Sequence, residues 1–432
     1  MTGSFPLLTE LRPALLKFVE WLDAFGEKSY DHQSYFAGPV GRAAKALYYR
    51  RRSLGVLAVA PMILSEALIP QGRVLFWRKQ RFPIADAHYA MGFALLAETT
   101  GIDRYLARAV RFLQALERTR CPGYQHYGWG YPFDWVTCTG VIRAGTPLVT
   151  TTPYAYEAFD LVYRIDGNAR WLEVMQSIAE HLFTDIKDHK LSATAASAGY
   201  HPFDARGAII NSSAYRAFLL TAAAQRFSRD DYIQTAERNL QFVLNSQQPD
   251  GSWLYAADGV RNFVDHFHTC FVLKALAKIE RLTGDEGCTR AITAGVTYYI
   301  KHLFDAEGLP KPFSVAPRLT VYKRELYDYA ECINLCHLLR GRFPDLDARF
   351  NTTMRDLMTR WRKRDGSFRS RELAFGWDNV PMHRWAQSQI FRSLCLVEQD
   401  RTQPIALLYH RHAPNLLSGH GENQGAILRM EG

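Results

Sequence analysis

The sequence predicts an all-α fold, six helical hairpins closed into an (α/α)6 barrel, on three observations. A polar, aromatic-rich segment that leads into a helix of small and apolar residues, a turn and a second amphipathic helix recurs along the chain, with a period of about 55 to 65 residues that marks a helical-hairpin array. The first helix of each unit is apolar on most faces, as buried helices are, and the second is charged and one-sided. The chain has 432 residues, 47% of them hydrophobic, which is long for one small domain, and a closed ring keeps that length around one core. The segments that open the first helices then meet at one rim as short loops or hairpins. Function is expected at that rim.

Inner helices are expected over residues 84–99, 151–165, 209–227, 264–283, 326–340 and 383–399, and outer helices over 103–119, 169–186, 230–246, 286–304 and 346–363. Closure of the ring needs a sixth outer helix, drawn from residues 40–67 or 5–24. Gly101, Gly167 and Gly284 stand just after inner helices, where a left-handed residue is usually glycine, and Asp103 and Asp230 are placed to cap the helices that follow. Two outer helices end in similar turns, Gln248-Pro-Asp-Gly-Ser-Trp253 and Arg364-Asp-Gly-Ser-Phe368. Asp-Gly makes a tight turn, and the aromatic after it is expected to wedge between hairpins. Residues 1–400 thus read as one domain, with 1–80 supplying helices that close the ring. Residues 401–432, with Pro404, Pro414 and a Gly-rich end, read as a loosely held tail.

The net charge of +9 suggests an anionic partner, because a basic surface concentrates polyanions, or else simply a soluble basic protein. The longest apolar stretch, 54–69, is broken by Pro61 and carries Glu66, so no membrane span is expected. Glu10 and Arg12 interrupt what would be a signal peptide, and seven cysteines without a CxxC pair fit reduced thiols. A cytoplasmic location is expected.

Chemistry is sought in the rim segments. Trp129-Gly-Tyr-Pro-Phe-Asp-Trp135 holds Trp129, Tyr131 and Trp135 with Asp134. Such rings stack on the apolar faces of sugars, or plug the barrel, and the carboxylate accepts hydroxyl hydrogen bonds or moves a proton. Tyr200-His-Pro-Phe-Asp204, with His201, Arg206 and Asn211, repeats the Pro-Phe-Asp core. Asp134 and Asp204 therefore read as a pair of carboxylates of the kind that glycosidic cleavage uses, although Asp204 also suits a helix cap. Trp253 and Tyr255 follow, then Asp265-His-Phe-His268. Two histidines two apart on a helix point different ways, so no metal site is expected and His268 reads as a proton carrier, with a satisfied buried histidine as the alternative. Tyr154 opens the second inner helix. Arg324, Glu325, Tyr327, Asp328, Tyr329 and Glu331 open the fifth. Trp377, Arg384, Trp385 and Arg392 surround the start of the sixth. Arginine pairs carboxylate or sulfate through two parallel hydrogen bonds, which suits a uronic acid, while an internal salt-bridge lattice is the alternative. No Walker loop, dinucleotide fingerprint, GxSxG elbow or HExxH is present, and no cofactor and no nucleic-acid partner are expected.

With the hairpin pattern, QPDGSW and the rim clusters in view, residues 80–400 resemble the α/α toroid superfamily, which includes six-hairpin glycosidases, uronate lyases, sugar epimerases and terpene cyclases. QPDGSW resembles the QW repeats of squalene and hopene cyclases, but the DxDD acid motif is missing. WGYPFDW, NSS at Asn211, QPDGSWLY and DHFHT are similar to uncharacterised toroid proteins associated with bacterial surface-polysaccharide biosynthesis. The resemblance implies an enzyme acting on an acidic or lipid-linked oligosaccharide or polysaccharide by hydrolysis, elimination or epimerisation. In hydrolysis Asp134 and Asp204 are acid and base; in the other two His268 or Tyr329 removes a proton beside a uronate carboxylate. Trp129, Tyr131, Trp253 and Tyr255 hold sugar rings, and Arg206, Arg324 and Arg384 neutralise acidic groups. A non-catalytic saccharide-binding or assembly protein and an isoprenoid-processing enzyme are the two rivals.

Overall fold

The computed structural model describes residues 10–317 and 319–402; from residue 403 the expected tail lies outside them. Six long helices form an inner ring: α5 (Pro83–Thr100), α7 (Thr152–Asp166), α9 (Ile210–Phe227), α11 (His266–Thr283), α13 (Leu326–Leu338) and α15 (Ser388–Thr402). Each packs on the next and α15 packs on α5, so the ring closes. Their apolar residues are buried nearly all round, Ala85 to Ala97 on α5 for example, as expected of helices enclosed on both sides. Five outer helices follow their inner partners: α6 (Asp103–Arg118), α8 (Arg170–Glu180), α10 (Asp230–Asn245), α12 (Glu286–His302) and α14 (Pro344–Asp356).

The sixth outer helix is α1 (Leu11–Phe25), which packs on α15. Its buried stripe of Leu11, Ala14, Leu15, Phe18, Val19 and Leu22 has helical spacing, and Arg12 Nε donates to Glu398 Oε1 at 2.8 Å. Of the two segments expected to close the ring, residues 40–67 serve otherwise. They form an added hairpin, α3 (Pro39–Arg50) and α4 (Arg52–Leu68), after a single turn α2 (Ser34–Ala37).

The helix ends follow local chemistry. Gly101, Gly167 and Gly284 take left-handed φ of 66°, 65° and 72° and bond back to the helix. Asp103 and Asp230 do not cap. They are the first residues of their helices, where their charge favours the helix dipole, and true caps are made by Asp265 to the His268 N–H and Asp285 to the Cys288 N–H. The two Asp-Gly-Ser turns are alike in detail: Asp250 and Asp365 each accept from the backbone N–H and the hydroxyl of the serine two residues on.

Trp253 is the expected wedge. Its indole N–H donates to the Val243 carbonyl and its ring lies against Gly295 of α12, where a Cβ would stand 2.6 Å from Trp253 Cζ3 and 2.8 Å from Leu273 Cδ2. Gly295→Ala is therefore expected to lower stability by about 1 kcal/mol in urea unfolding, because overpacking of about 1–3 kcal/mol outweighs alanine's helix preference of about 1 kcal/mol.

Short antiparallel pairs decorate one rim: β1 (Trp135–Thr137) with β2 (Gly140–Ile142), β3 (Asp188–Lys190) with β4 (Ala196–Ala198), and β5 (Val264–Asp265) with β6 (Phe313–Val315). The three-stranded β7 (Tyr322–Glu325), β8 (Arg371–Leu373) and β9 (Trp377–Asp378) completes the set. β5 and β7 run directly into α11 and α13, so these connectors crown the N-terminal ends of inner helices. Among the described residues no helix is long and apolar enough to cross a membrane.

Candidate functional site

The connectors converge as expected, and their rings make a circuit around the mouth of the barrel. Tyr131 meets Trp135 (centroids 5.4 Å apart), and Trp135 meets Tyr200 (6.2 Å). Tyr255 packs with Tyr200 in one apolar cluster and meets His268 at 4.7 Å. His268 meets Phe267 (4.4 Å), Phe267 meets Tyr327 (4.9 Å), and Tyr327 meets Trp385 (4.9 Å). The Arg384 guanidinium closes the circuit, 5.0 Å from the Trp385 ring and 4.4 Å from that of Tyr131. All six inner-helix units except the first contribute a ring or cation. The N-terminal segment supplies His32, 4.6 Å from Trp385.

Two polar features stand in this circuit. His268 Nδ1 lies 2.6 Å from Asp265 Oδ2. The carboxylate is an acceptor, so Nδ1 donates to it, and in the neutral imidazole Nε2 carries the lone pair. Asp265 is buried while the histidine is 23% exposed, and among the described residues Nε2 has no protein partner. Asp265 also caps α11 through the His268 N–H at 2.8 Å, so one carboxylate fixes both the helix start and the ring. Arg384, buried at 4%, donates through Nε (2.9 Å) and Nη2 (2.6 Å) to Asp31. Burial works to raise the Asp31 carboxyl, but Arg384 holds it well below the usual range. Burial, with Arg371, Arg384 and Arg73 nearby, keeps His32 uncharged.

Beside this dyad is an unpaired acid. Asp328, on the first turn of α13, is fully buried, and neither of its oxygens has a hydrogen-bond partner among the described residues. Burial, with Glu325 and Asp265 as like-charged neighbours, pushes its carboxyl well above the ordinary carboxylate range, which favours its proton-bearing form. The folded state holds that proton more tightly than the unfolded chain does. Its contribution to stability is thus complete below the ordinary value of 3.8 and is lost as pH rises. Asp328→Asn keeps the shape and removes the titration. It is expected to unfold at higher urea than the native chain at pH 8 and at a similar concentration at pH 4, the gap widening by up to about 1.4 kcal/mol per pH unit.

Behind the rim Arg371 joins Glu325 (Nε to Oε1, 2.7 Å) to Glu66 of α4 (2.5 Å), and Arg73 joins Asp378 (2.5 Å). Deeper in the ring Tyr154 OH meets Tyr215 OH at 2.6 Å, Lys274 Nζ lies 2.5 Å from Glu331 Oε2, and Lys278 pairs with Glu157. These pairs fill the barrel below the mouth. A ligand is thereby confined to the rim. A cleft of about 390 Å³ between α1 and α6, lined by Leu16, Glu20, Asp23 and Arg108, lies outside the ring and away from the circuit.

Of the residues expected at the site, Tyr131, Tyr255, Asp265, His268 and Arg384 are brought together, with Glu325 one layer behind and Tyr154 below. The other placements are corrections. Asp134 accepts from the Ala144 N–H, Arg42 and Arg143, and these donors, led by the Ala144 N–H, hold it below the usual carboxylate range. Asp204 accepts from the Tyr200 and Arg206 N–H groups. Burial works to raise it, but these backbone donors keep it low. Both are ionised loop clamps rather than a facing acid and base. Tyr329 turns outward and donates to Asp356. Trp129 is sealed, its indole N–H on the Leu116 carbonyl, and Trp253 is the wedge described above. Arg324 is shared by Asp305, Glu307 and Glu372. Trp377 packs edge-on to Trp361 (5.0 Å) under Arg369. Arg206 is exposed, His201 is bound within its loop, accepting the Phe203 N–H, and Asn211 is buried with both side-chain polar atoms unpartnered among the described residues. Asp31, His32 and Arg371 were not anticipated; the first two come from a segment read only as ring closure. Among the described residues no group of three or more His, Cys, Asp or Glu is placed to hold a metal ion.

No protein-family model matches the sequence, and no curated protein matches it. By structure the chain is similar to an unsaturated glucuronyl hydrolase specific for heparin, with TM-score 0.60 and 12% identity over 93% of this chain and 98% of that one. It is also similar to cellobiose 2-epimerase from Bacillus thermoamylovorans, with TM-score 0.57 and 10% identity over 74% and 88%. A third such structure is D-mannose isomerase, with TM-score 0.55 and 13% identity over 75% and 87%. At these identities the likeness carries the fold, the (α/α)6 toroid.

Proposed function

We propose that the chain is a carbohydrate-active enzyme that moves a proton at a sugar carbon next to a carbonyl or carboxylate, the step shared by epimerisation, isomerisation and elimination. The observation that carries the reading is the Asp265–His268 dyad, 2.6 Å apart with Nε2 facing a ring of aromatic side chains. His268 Nε2 takes the proton, and Asp265 orients the imidazole and stabilises the imidazolium that forms. Asp328, whose burial favours the protonated form, donates a hydrogen bond or a proton to the oxygen on which charge develops. Trp135 and Trp385, half-buried at the mouth, are the rings placed to stack on a sugar, while Tyr131 and Tyr255 are already stacked on Phe133 and Phe263. Arg384 keeps Nη1 for an acidic group, which suits a uronate-bearing saccharide of bacterial surface-polysaccharide metabolism. Similarity to a sugar epimerase and a sugar isomerase favours the same chemistry.

A hydrolytic reading is favoured by Asp328 alone, since a buried protonated carboxyl is what a general acid needs. The pair Asp134 and Asp204 no longer supports it. The inward carboxyl groups weigh against an isoprenoid-processing enzyme, whose pocket would be aliphatic. The test is incubation of the purified chain with reducing and uronate-terminated oligosaccharides in deuterated water, followed by NMR. Deuterium entering the carbon beside the carbonyl or carboxylate is expected. Release of new reducing ends with neither carbon-bound deuterium nor an unsaturated uronate in the products would mean hydrolysis and end the proton-abstraction reading, and saccharide binding without any turnover would make the chain a binder.

A further inference from the structure

The hairpin α3–α4 and the turn after it carry an exposed apolar seam. Leu54, Leu57, Pro61, Leu64 and Leu68 are all exposed. Their spacing of three and four residues lines them along one side of α4, opposite the side where Gly55, Met62 and Glu66 are buried, Gly55 against Tyr48 of α3 and Glu66 on Arg371. Ile69, Val74 and Leu75 continue the seam, with Leu75 84% exposed. Half of the large hydrophobic side chains exposed among the described residues fall between Val40 and Leu75. A soluble surface rarely gathers them so.

The same segment holds the protein's basic surplus. Residues 39–81 contain nine Lys and Arg and one acidic residue, Glu66, a net charge of +8 against +9 for the whole chain. Glu66 is paired with Arg371, while Arg42, Arg73 and Arg81 are paired with acids outside the segment, so the positive charge of the exposed face is carried at its two ends. Arg50, Arg51 and Arg52 at the hairpin turn, and Arg78 and Lys79 beyond the seam, are exposed. Half-exposed Tyr48, Phe76 and Trp77 border it, as aromatic residues do at a bilayer interface.

We propose that this face docks on an anionic membrane surface, the seam entering the headgroup boundary and the flanking arginines contacting acidic lipid headgroups. Charge complementarity selects that occupant over a second copy of the chain. A second copy would set Arg50–Arg52 against the same arginines, with no free acidic side chain in the segment to answer them. The hairpin is bolted to the rim through Arg42 to Asp134 and Glu66 to Arg371. Docking therefore brings the barrel mouth beside the bilayer. The docking does not depend on the proton-transfer reading, whereas delivery of a lipid-linked saccharide to the mouth rests on it.

The test is co-sedimentation of the full chain with vesicles of phosphatidylcholine alone or with phosphatidylglycerol, which reads no catalysis. Binding is expected only with phosphatidylglycerol and is expected to weaken as salt rises. The triple variant Leu57→Asp, Leu64→Asp, Leu68→Asp should bind at least about tenfold more weakly, and Arg50→Glu, Arg51→Glu, Arg52→Glu about a hundredfold more weakly. All six positions are exposed, so unchanged circular dichroism melting is expected for both variants. The proposal is overturned if the native chain ignores phosphatidylglycerol vesicles, or if the Leu variant binds them as the native chain does. It is equally overturned if sedimentation velocity finds a dimer that the Leu variant dissociates, since the seam would then belong to a second copy.

Discussion

Replacing His268 by glutamine is expected to lower kcat by about two to four orders of magnitude, with KM changed far less. Nε2 is the one ring nitrogen of the Asp265 dyad left to act on a substrate, and glutamine fills similar space without a basic lone pair. The fold should survive, because the cap of α11 comes from Asp265 through the backbone N–H of residue 268, which glutamine retains. Deuterium wash-in at the sugar carbon is the sensitive readout: it should disappear in His268→Gln while saccharide binding persists. Asp265→Asn should cost less, since the amide still accepts from the backbone but no longer fixes the imidazole tautomer. Full exchange in both variants would remove proton transfer from this dyad.

The second large effect is expected at Arg371. Its guanidinium is 4% exposed and is bonded to both Glu325 and Glu66, so Arg371→Met leaves two buried carboxylates without a cation. Removing one partner of such a group costs about 3–5 kcal/mol, to be measured by urea unfolding at pH 7. Burial already raises the Glu325 carboxyl against the pull of Arg371, and without the arginine it rises further. A folded-state value above the unfolded one means stability is lost as pH climbs. The deficit of the variant should therefore be largest near pH 8 and shrink toward pH 4. Because Glu66 belongs to α4, the variant should also loosen the added hairpin, read as faster tryptic cleavage at Arg50–Arg52. A deficit independent of pH, with unchanged cleavage, would contradict this account of the triad.

The repeat was legible because an inner helix apolar on every side and a one-sided outer helix leave different sequence patterns, and because Gly101, Gly167 and Gly284 mark where each inner helix must turn. The convergence of the rim segments followed from ring closure. What the sequence did not disclose was which polar groups are already satisfied. Asp134 and Asp204 share the Pro-Phe-Asp context, and only the coordinates show backbone N–H groups and arginines filling their lone pairs. Tyr329 and Asp328 are adjacent on α13, yet a turn of about 100° sends the first outward to Asp356 and leaves the second beside Asp265. Asp31 and His32 were invisible because their partner, Arg384, is more than 350 residues away, and no local pattern encodes such a pairing.

That separation bears on how the molecule comes into being. Asp31 with Arg384, Glu66 with Arg371, Arg73 with Asp378, and His383 with Ser29 and Gly26 each join the first eighty residues to the stretch 371–384. The intermediate hairpins stack on their neighbours as they emerge from the ribosome, but these links span nearly the entire polypeptide, and contacts of such high sequence separation form late. A chain that lacks residues 371–384 leaves Asp31 and Glu66 without their cations. The barrel mouth is thus complete only once residues 371–384 have docked on the N-terminal segment.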